Sequence, residues 1–229
     1  MADTTTTSPD VAPDADLETD PDAGYLAYPR TEWDEHDHLP PSTGISHNKL
    51  AMWAFLGSDC LLFGALISTY LLVRNVPEEV PGAGPPVREV FDIPFTSVSS
   101  FVLLMSSMSM ALAVGAISRG DTRRTKIWLL TTAILGALFI GGQVYEFSVF
   151  YNEGFGYTTN ISTSAFYTLT GFHGAHVSLG ILLLISLYWM VHKGRIGQAQ
   201  GESVEVAGLY WHFVDIVWIV IFAVVYLIR

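Results

Sequence analysis

The sequence predicts an all-α fold, an integral membrane bundle of five transmembrane helices. Half of its 229 residues are hydrophobic and only 14% are charged, a balance typical of membrane proteins. The apolar residues form five continuous segments, roughly 49–73, 95–117, 126–150, 164–191 and 206–228. Each has about the 20 residues that a helix needs to cross a hydrocarbon core. Because the apolarity is continuous rather than alternating, we expect helices that satisfy their own backbone groups.

Residues 1–44 precede the first segment and differ from it in composition. They begin MADTTTTSPD, are rich in Thr, Asp and Pro, and contain few large apolar side chains. Such a stretch cannot bury enough surface to fold alone, so we predict a disordered acidic tail at 1–44 and a membrane domain at 45–229. The net charge of −11 mostly describes this tail, and it indicates no nucleic-acid partner.

Small residues recur at four-residue spacing in the apolar segments and predict close helix packing. Pro94 is suited to the first turn of the second helix. The one cysteine, Cys60, offers neither a disulfide nor a two-thiolate metal site. The small residues are Cys60, Gly64 and Ser68 in the first segment, Ser107 and Ala111 in the second, Ala133, Ala137 and Gly141 in the third, and Gly171, Gly174, Ala175 and Ser178 in the fourth.

The basic residues predict the orientation of the bundle. Eight of them fall on the side of the N-terminal tail and three on the other side. Because cytoplasmic loops carry the excess of Lys and Arg, we expect the N-terminus inside and the C-terminus outside. The eight are Arg30, Lys49, Arg119, Arg123, Arg124, Lys126, Lys193 and Arg195, and the three are Arg74, Arg88 and Arg229.

The last segment places ionisable side chains inside the membrane, in the stretch LYWHFVDIVW at 209–218. His212 and Asp215 are three residues apart and therefore share a helix face, beside a stripe that includes Trp211. Ionisable side chains in spanning helices usually mark a proton, ion or lipid-headgroup site. The alternative is that they satisfy each other or a neighbouring helix, which contributes only about 1 kcal/mol.

The depth of each polar residue predicts which of them meet. At about 1.5 Å of rise per residue, Asp59 and Asp215 lie about 14 Å from the inner ends of their helices, and His212 about 9 Å. These three form a predicted inner cluster. A second, outer cluster is predicted as a hydrogen-bond network between the third and fourth helices. Its members are Gln143, Glu146, His173 and His176, with the two histidines about 14 and 18 Å from the outer end.

No metal site is predicted. His173 and His176 neighbour each other on one helix and are offset from His212 by roughly 10 Å along the membrane normal, so one haem iron cannot easily reach both sets. The chain also offers no multi-histidine constellation of the kind that holds copper or zinc.

Five motifs together resemble subunit III of haem-copper terminal oxidases of the cytochrome c oxidase type, in its five-helix form. They are FLGSDCLLFG at 55–64, PFTSVSS at 94–100, GQVYEF at 142–147, TGFHGAHVSLG at 170–180 and YWHFVDIVW at 210–218. The resemblance covers almost the whole membrane region, in the order and at the spacing of the family. The family's long form has two further helices before these five.

The resemblance implies roles for particular residues. Asp59 matches the intramembrane carboxylate that reacts with hydrophobic carbodiimides and supports proton uptake, although the family usually has Glu there. The remaining matched residues are implied to form a lipid or packing cluster. They are Trp53, Gln143, Glu146, His173, His176, Trp211, His212 and Asp215.

The function that the resemblance implies is that of an accessory subunit of a proton-pumping oxidase that transfers electrons to O2. The resemblance also implies that the subunit stabilises catalytic subunit I, its main contact, in a complex that also contains subunit II. It further implies that haems and copper belong to those partners, that phospholipid binds to this chain, and that the complex lies in the plasma membrane of a prokaryote. Subunit III of a quinol oxidase, an accessory protein of nitric oxide reductase and a self-contained proton or ion transporter remain alternatives.

Overall fold

The computed structural model describes residues 46–76, 80, 82 and 92–228, and this part of the chain is built of helices. Each of the five long helices is long and apolar enough to cross a membrane. The predicted all-α membrane fold is confirmed, with boundaries within about four residues of the prediction. The helices are α1 (His47–Val73), α2 (Ile93–Ser118), α3 (Thr122–Asn152), α4 (Ile161–His192) and α5 (Glu202–Phe222), and α5 continues into a π-helical turn at Ala223–Leu227. The predicted tail at 1–44 lies outside the described residues.

Local chemistry explains where the helices begin and end. Four of them start at a side chain whose oxygen accepts a hydrogen bond from a backbone N–H three residues later, namely Ser46, Asp92, Asp121 and Asn160. Pro94 lies in the first turn of α2 as predicted. After α2 the chain turns at Gly120, where φ is 75°, a left-handed conformation that favours glycine.

Helix α5 is central and α1 is peripheral. Half of the most apolar stretch of α5 is buried within the chain, against 17% for α1. Helix α5 packs against α1, α2 and α4, and α2 packs along α3, which in turn contacts α4. Large apolar side chains such as Leu61 and Leu72 on α1 are exposed, as the surface of a helix in lipid is.

The closest helix approaches centre on Trp211, which is buried between α3 and α4. A Cβ atom added at Gly136 would lie 2.6 Å from its ring, and one added at Gly180 would lie 2.8 Å from it. The prediction from small residues was wrong for Gly64, Gly141 and Gly171, since an added Cβ there meets nothing within 4 Å. Spacing alone does not show which side of a helix faces a neighbour.

Polar contacts join α1 to α5 at both ends of the bundle. At the end where α1 begins, which we call the proximal end, Lys49 forms an ion pair with Glu205 at 2.7 Å and Ser46 donates a hydrogen bond to Glu202. At the opposite, distal end, the Arg74 guanidinium donates to the carbonyls of Val224 and Ile228, at 3.4 and 3.2 Å. The peripheral helix is therefore tied to the central one near each membrane surface.

Candidate functional site

Asp59 on α1 pairs with His176 on α4. The Asp59 side chain is buried, and its Oδ2 lies 3.7 Å from His176 Nε2. His176 Nδ1 donates to the carbonyl of Phe172 at 2.8 Å, because a carbonyl oxygen can only accept. The Tyr210 hydroxyl donates to the backbone carbonyl of His176 at 2.9 Å, which brings α5 to the same point. The pair of buried Asp59 and partly buried His176 thus joins α1, α4 and α5.

This pairing corrects the predicted inner cluster. Asp59 was expected to lie with His212 and Asp215, but its ionisable neighbour is His176, which had been assigned to the outer cluster. His212 bonds to Ser107 of α2 instead. Asp59 therefore belongs to a separate pair at the α1–α4 contact.

His173 is fully buried among aromatic rings. It stacks on Trp218 with ring centroids 4.9 Å apart, and the rings of Phe63 and Phe139 meet it edge-on at 6.3 and 6.0 Å. Neither ring nitrogen has a hydrogen-bond partner among the described residues, and the same holds for the amide of buried Gln143. His173 is a packing residue in this environment.

Glu146 joins α3 to α2 and to the end of α5. The carboxylate accepts a hydrogen bond from Thr96 at 3.0 Å, and the Tyr226 hydroxyl lies 3.1 Å from each of its oxygens. All three residues are buried. The prediction of one network between the third and fourth helices was wrong, since the Glu146 partners lie on α2 and in the π-helical turn, and His176 faces α1.

His212 bonds to Ser107 of α2, whose hydroxyl lies 2.7 Å from His212 Nδ1. Asp215 is 3% exposed, and neither of its oxygens has a hydrogen-bond partner among the described residues. His212 and Asp215 therefore do not bond to each other, although both lie on α5, three residues apart.

A cavity of about 450 Å³ lies beside His212 and reaches the proximal end. Trp53 lines it from α1, and its indole is 60% exposed. The structure therefore brings two residues of the predicted lipid or packing cluster, Trp53 and His212, to one cavity. The lining residues are Lys49, Trp53, Ala111, Val114, Glu205, Gly208, Leu209 and His212.

The serines of α2 bond to α5, a role that their sequence pattern did not reveal. Ser106 accepts a hydrogen bond from the indole N–H of Trp211 at 3.0 Å, and Ser100 accepts one from Trp218 at 2.9 Å. With Ser107, they form a row of hydroxyls facing the polar and aromatic side of α5. The seven-residue spacing of Ser100 and Ser107 is the sequence signal for this row, since it places both on one helix face.

Among the described residues, no three His, Cys, Asp or Glu side chains come together in a group that could hold a metal ion. Several buried polar groups instead bond to neighbouring helices, as Glu146 does to Thr96 and Tyr226. The fold and the site together define a multi-pass helical membrane protein whose helices are joined by buried polar contacts.

Comparison with known proteins then gives the family. The family model of cytochrome c oxidase subunit III matches residues 38–228, and the chain belongs to this family. It is 38% identical over 178 residues to cytochrome c oxidase subunit 3 of Bacillus sp. (strain PS3), covering 78% of this chain and 84% of the relative. Identity to cytochrome c oxidase subunit 3 of Thermostichus vulcanus is 37% over 195 residues, covering 85% and 92% of the two chains.

A relative named for a different electron donor is similarly close. The chain is 36% identical over 194 residues to cytochrome bo(3) ubiquinol oxidase subunit 3 of Pseudomonas aeruginosa, covering 84% of this chain and 90% of the relative. The resemblance drawn from the five motifs is confirmed. The chain is an accessory subunit III of a haem-copper oxidase, and it is part of an oxidase complex.

Proposed function

We propose that this subunit is non-catalytic, and that the haems and copper of the oxidase lie in partner subunits. The contacts of three histidines in its membrane helices support the proposal most directly. His173 packs between aromatic rings, His176 pairs with Asp59, and His212 bonds to Ser107. These three histidines contact side chains of neighbouring helices, and among the described residues none of them belongs to a group of three or more His, Cys, Asp or Glu side chains that could hold a metal ion. Catalytic subunit I is its main contact, and subunit II belongs to the same complex.

The proposed contribution of the chain is stability, phospholipid binding and assistance to proton uptake. Asp59 is the residue assigned to proton uptake and to reaction with carbodiimides, because it is a buried carboxylate paired with a histidine. Phospholipid binding is assigned to the surface around Trp53, whose exposed indole lies about two turns from the start of α1. Indole rings are enriched at this level of a membrane.

The complex is placed in the plasma membrane of a prokaryote, with the N-terminus of this chain on the cytoplasmic side. The bias of eight basic residues against three supports this orientation. Protease added outside intact cells should leave an epitope at the N-terminus uncut, and should cut it in inside-out vesicles. Cleavage from the outside of intact cells would reverse the assignment.

Purification of the native complex tests the non-catalytic role. The complex should show haem bands and reduce O2, and partial removal of this chain with detergent should leave the haem spectrum and the initial rate intact. The depleted enzyme should lose activity sooner during turnover, since the stabilising subunit is gone. Haem that leaves together with this chain would contradict the proposal.

A quinol oxidase is the second candidate for the complex, and the ubiquinol oxidase relative supports it. The assignment depends on subunit II, because the type that oxidises cytochrome c carries a two-cysteine dicopper site there. Steady-state assays of the purified complex with reduced cytochrome c and with a quinol would identify the donor.

A further inference from the structure

The cavity beside His212 has an apolar lining contributed by three helices, α1, α2 and α5. Ala111 of α2 and Leu209 of α5 are examples, and Ala111 is exposed, so the cavity can be reached from outside the chain. Because helices of this length and composition cross a membrane, most of the cavity lies at the depth of acyl chains. Its shape and lining suit a hydrocarbon chain.

The charged residues of the lining lie at the proximal end of the cavity. Lys49 in the first turn of α1 and Glu205 in the first turn of α5 form an ion pair at 2.7 Å, and each side chain is 37% exposed. Glu202 lies three residues before Glu205 and accepts a hydrogen bond from Ser46. This end of the cavity therefore presents one ammonium group beside two carboxylates.

Trp53 indicates the level of this charged end in the membrane. It follows Lys49 by four residues, which is about one helical turn or 6 Å along α1, and its indole is 60% exposed. Indole rings are enriched at the level of the lipid headgroups. The ion pair thus lies at headgroup level, and the apolar lining lies below it.

His212 lies deeper in the cavity, and its polarity is compatible with an apolar occupant. It follows Glu205 by seven residues, so it is about 10 Å further along α5. Its Nδ1 lies 2.7 Å from the Ser107 hydroxyl of α2, so the imidazole bonds within the bundle. The stretch between the ion pair and His212 is long enough for the first part of an acyl chain.

We infer that the cavity binds a phospholipid whose headgroup carries both a phosphate and a primary ammonium, with one acyl chain in its apolar part. The inference rests on the proposed phospholipid binding around Trp53 and names the class of lipid. The phosphate accepts from Lys49, whose ammonium has three donor protons, and the headgroup ammonium donates to Glu205 or Glu202. An anionic headgroup without an ammonium lies against two carboxylates and is disfavoured by repulsion.

Photolabelling of the assembled oxidase tests the headgroup class. The complex is reconstituted in phosphatidylcholine vesicles that contain a trace of phosphatidylethanolamine or of phosphatidylglycerol, both with the same diazirine-bearing acyl chain. Peptide mass spectrometry then locates the adducts. The phosphatidylethanolamine probe should label residues 49–53 and 205–212 about threefold to fivefold more than the other probe, the size expected for one partly exposed ion pair.

The two probes separate this inference from the proposed function. Equal labelling of the two stretches would overturn the headgroup class and leave phospholipid binding around Trp53 in place. Labelling by neither probe would overturn both, since a protein segment would then cover the cavity. This comparison uses the native chain and does not depend on the assembly of any variant.

Two substitutions, each with a matched control, locate the parts of the lipid. Glu205→Gln removes the charge with little change of shape and should lower the ratio of labelling towards one, whereas Glu153→Gln, at an exposed glutamate of the distal end, should keep the native ratio. Ala111→Phe fills the cavity and should reduce labelling by both probes. Ala137→Phe, at an exposed alanine of α3, should not. Undiminished labelling in assembled Ala111→Phe would place the acyl chain elsewhere and overturn the inference.

Discussion

Glu146 shows how a single buried carboxylate joins three parts of the chain. It lies on α3, receives a hydrogen bond from Thr96 on α2, and contacts Tyr226 in the π-helical turn after α5. A π-helical turn is rare and changes the direction in which the residues after it point. Tyr226 lies in this turn and contacts Glu146, so the carboxylate and the turn stabilise each other at the distal end.

Replacement of Glu146 should loosen this end without affecting the redox centres. Glu146→Ala removes the contacts to two hydroxyl donors, and we expect roughly 1–2 kcal/mol of lost stability, since one such bond in a membrane contributes about 0.6 kcal/mol. Tyr226→Phe should have a smaller effect of the same sign. The measurement is the detergent concentration at which this subunit leaves the purified complex, with the haem spectrum recorded alongside.

Tyr145→Phe is the matched control, because Tyr145 neighbours Glu146 in sequence and is 60% exposed. It should dissociate at the native detergent concentration. Loss of haem in Glu146→Ala, or an equal effect of the control, would contradict a purely structural role.

The residue depths were predictable, but their partners were not. Asp59 was placed about 14 Å from the inner end and His176 about 18 Å from the outer end. In a hydrocarbon core of about 30 Å these depths nearly coincide, as the structure bears out. The pair was missed because contact also requires α1 to lie beside α4 and both helices to be rotated towards each other. The rise per residue shows neither which helices are neighbours nor how each helix is rotated about its own axis.

At the scale of helices, Trp211 determines how closely α3, α4 and α5 approach. Its ring fills the space left by glycines on two helices, Gly136 and Gly180, and its indole N–H bonds to Ser106 on a third. Large and small side chains are complementary here, as close packing requires. The helix spans themselves were predicted well, because continuous apolarity and capping residues are local signals, whereas the Trp211 packing depends on the arrangement of four helices.

A methyl group at either glycine should therefore destabilise the bundle. Gly136→Ala and Gly180→Ala each place a Cβ less than 3 Å from the Trp211 ring, and overpacking of this kind costs about 1–3 kcal/mol. Thermal unfolding of the purified complex, followed by release of this subunit, measures the effect. Each variant should release the subunit at a lower temperature than the native chain.

Gly141→Ala on α3 and Gly171→Ala on α4 are the controls for the same substitution. An added Cβ at these positions meets nothing within 4 Å, and alanine favours a helix over glycine by about 1 kcal/mol. Both should be neutral or slightly stabilising. Equal destabilisation of all four variants would mean that the effect does not arise from Trp211.

At the scale of the whole molecule, polar contacts join the peripheral helix α1 to the rest of the bundle along its length. The Lys49–Glu205 pair holds its proximal end, Arg74 holds its distal end, and the Asp59–His176 pair lies between them. Few of its apolar side chains are buried within this chain. The Asp59–His176 pair is therefore the contact whose charge and shape most directly affect how α1 packs against α4.

Asp59→Asn tests what this contact does for the assembled enzyme. The amide has nearly the same shape as the carboxylate but cannot carry its charge, so α1 should stay in place while proton exchange at this position is lost. Since we place the redox centres in partner subunits, the initial rate of O2 reduction should stay close to native. Any effect should appear as slower proton delivery or a shorter active lifetime during turnover.

Cys60→Ala, at an exposed neighbouring position, should leave both properties unchanged. Immediate and complete loss of activity in an assembled, haem-replete Asp59→Asn enzyme would instead place Asp59 on an essential proton path.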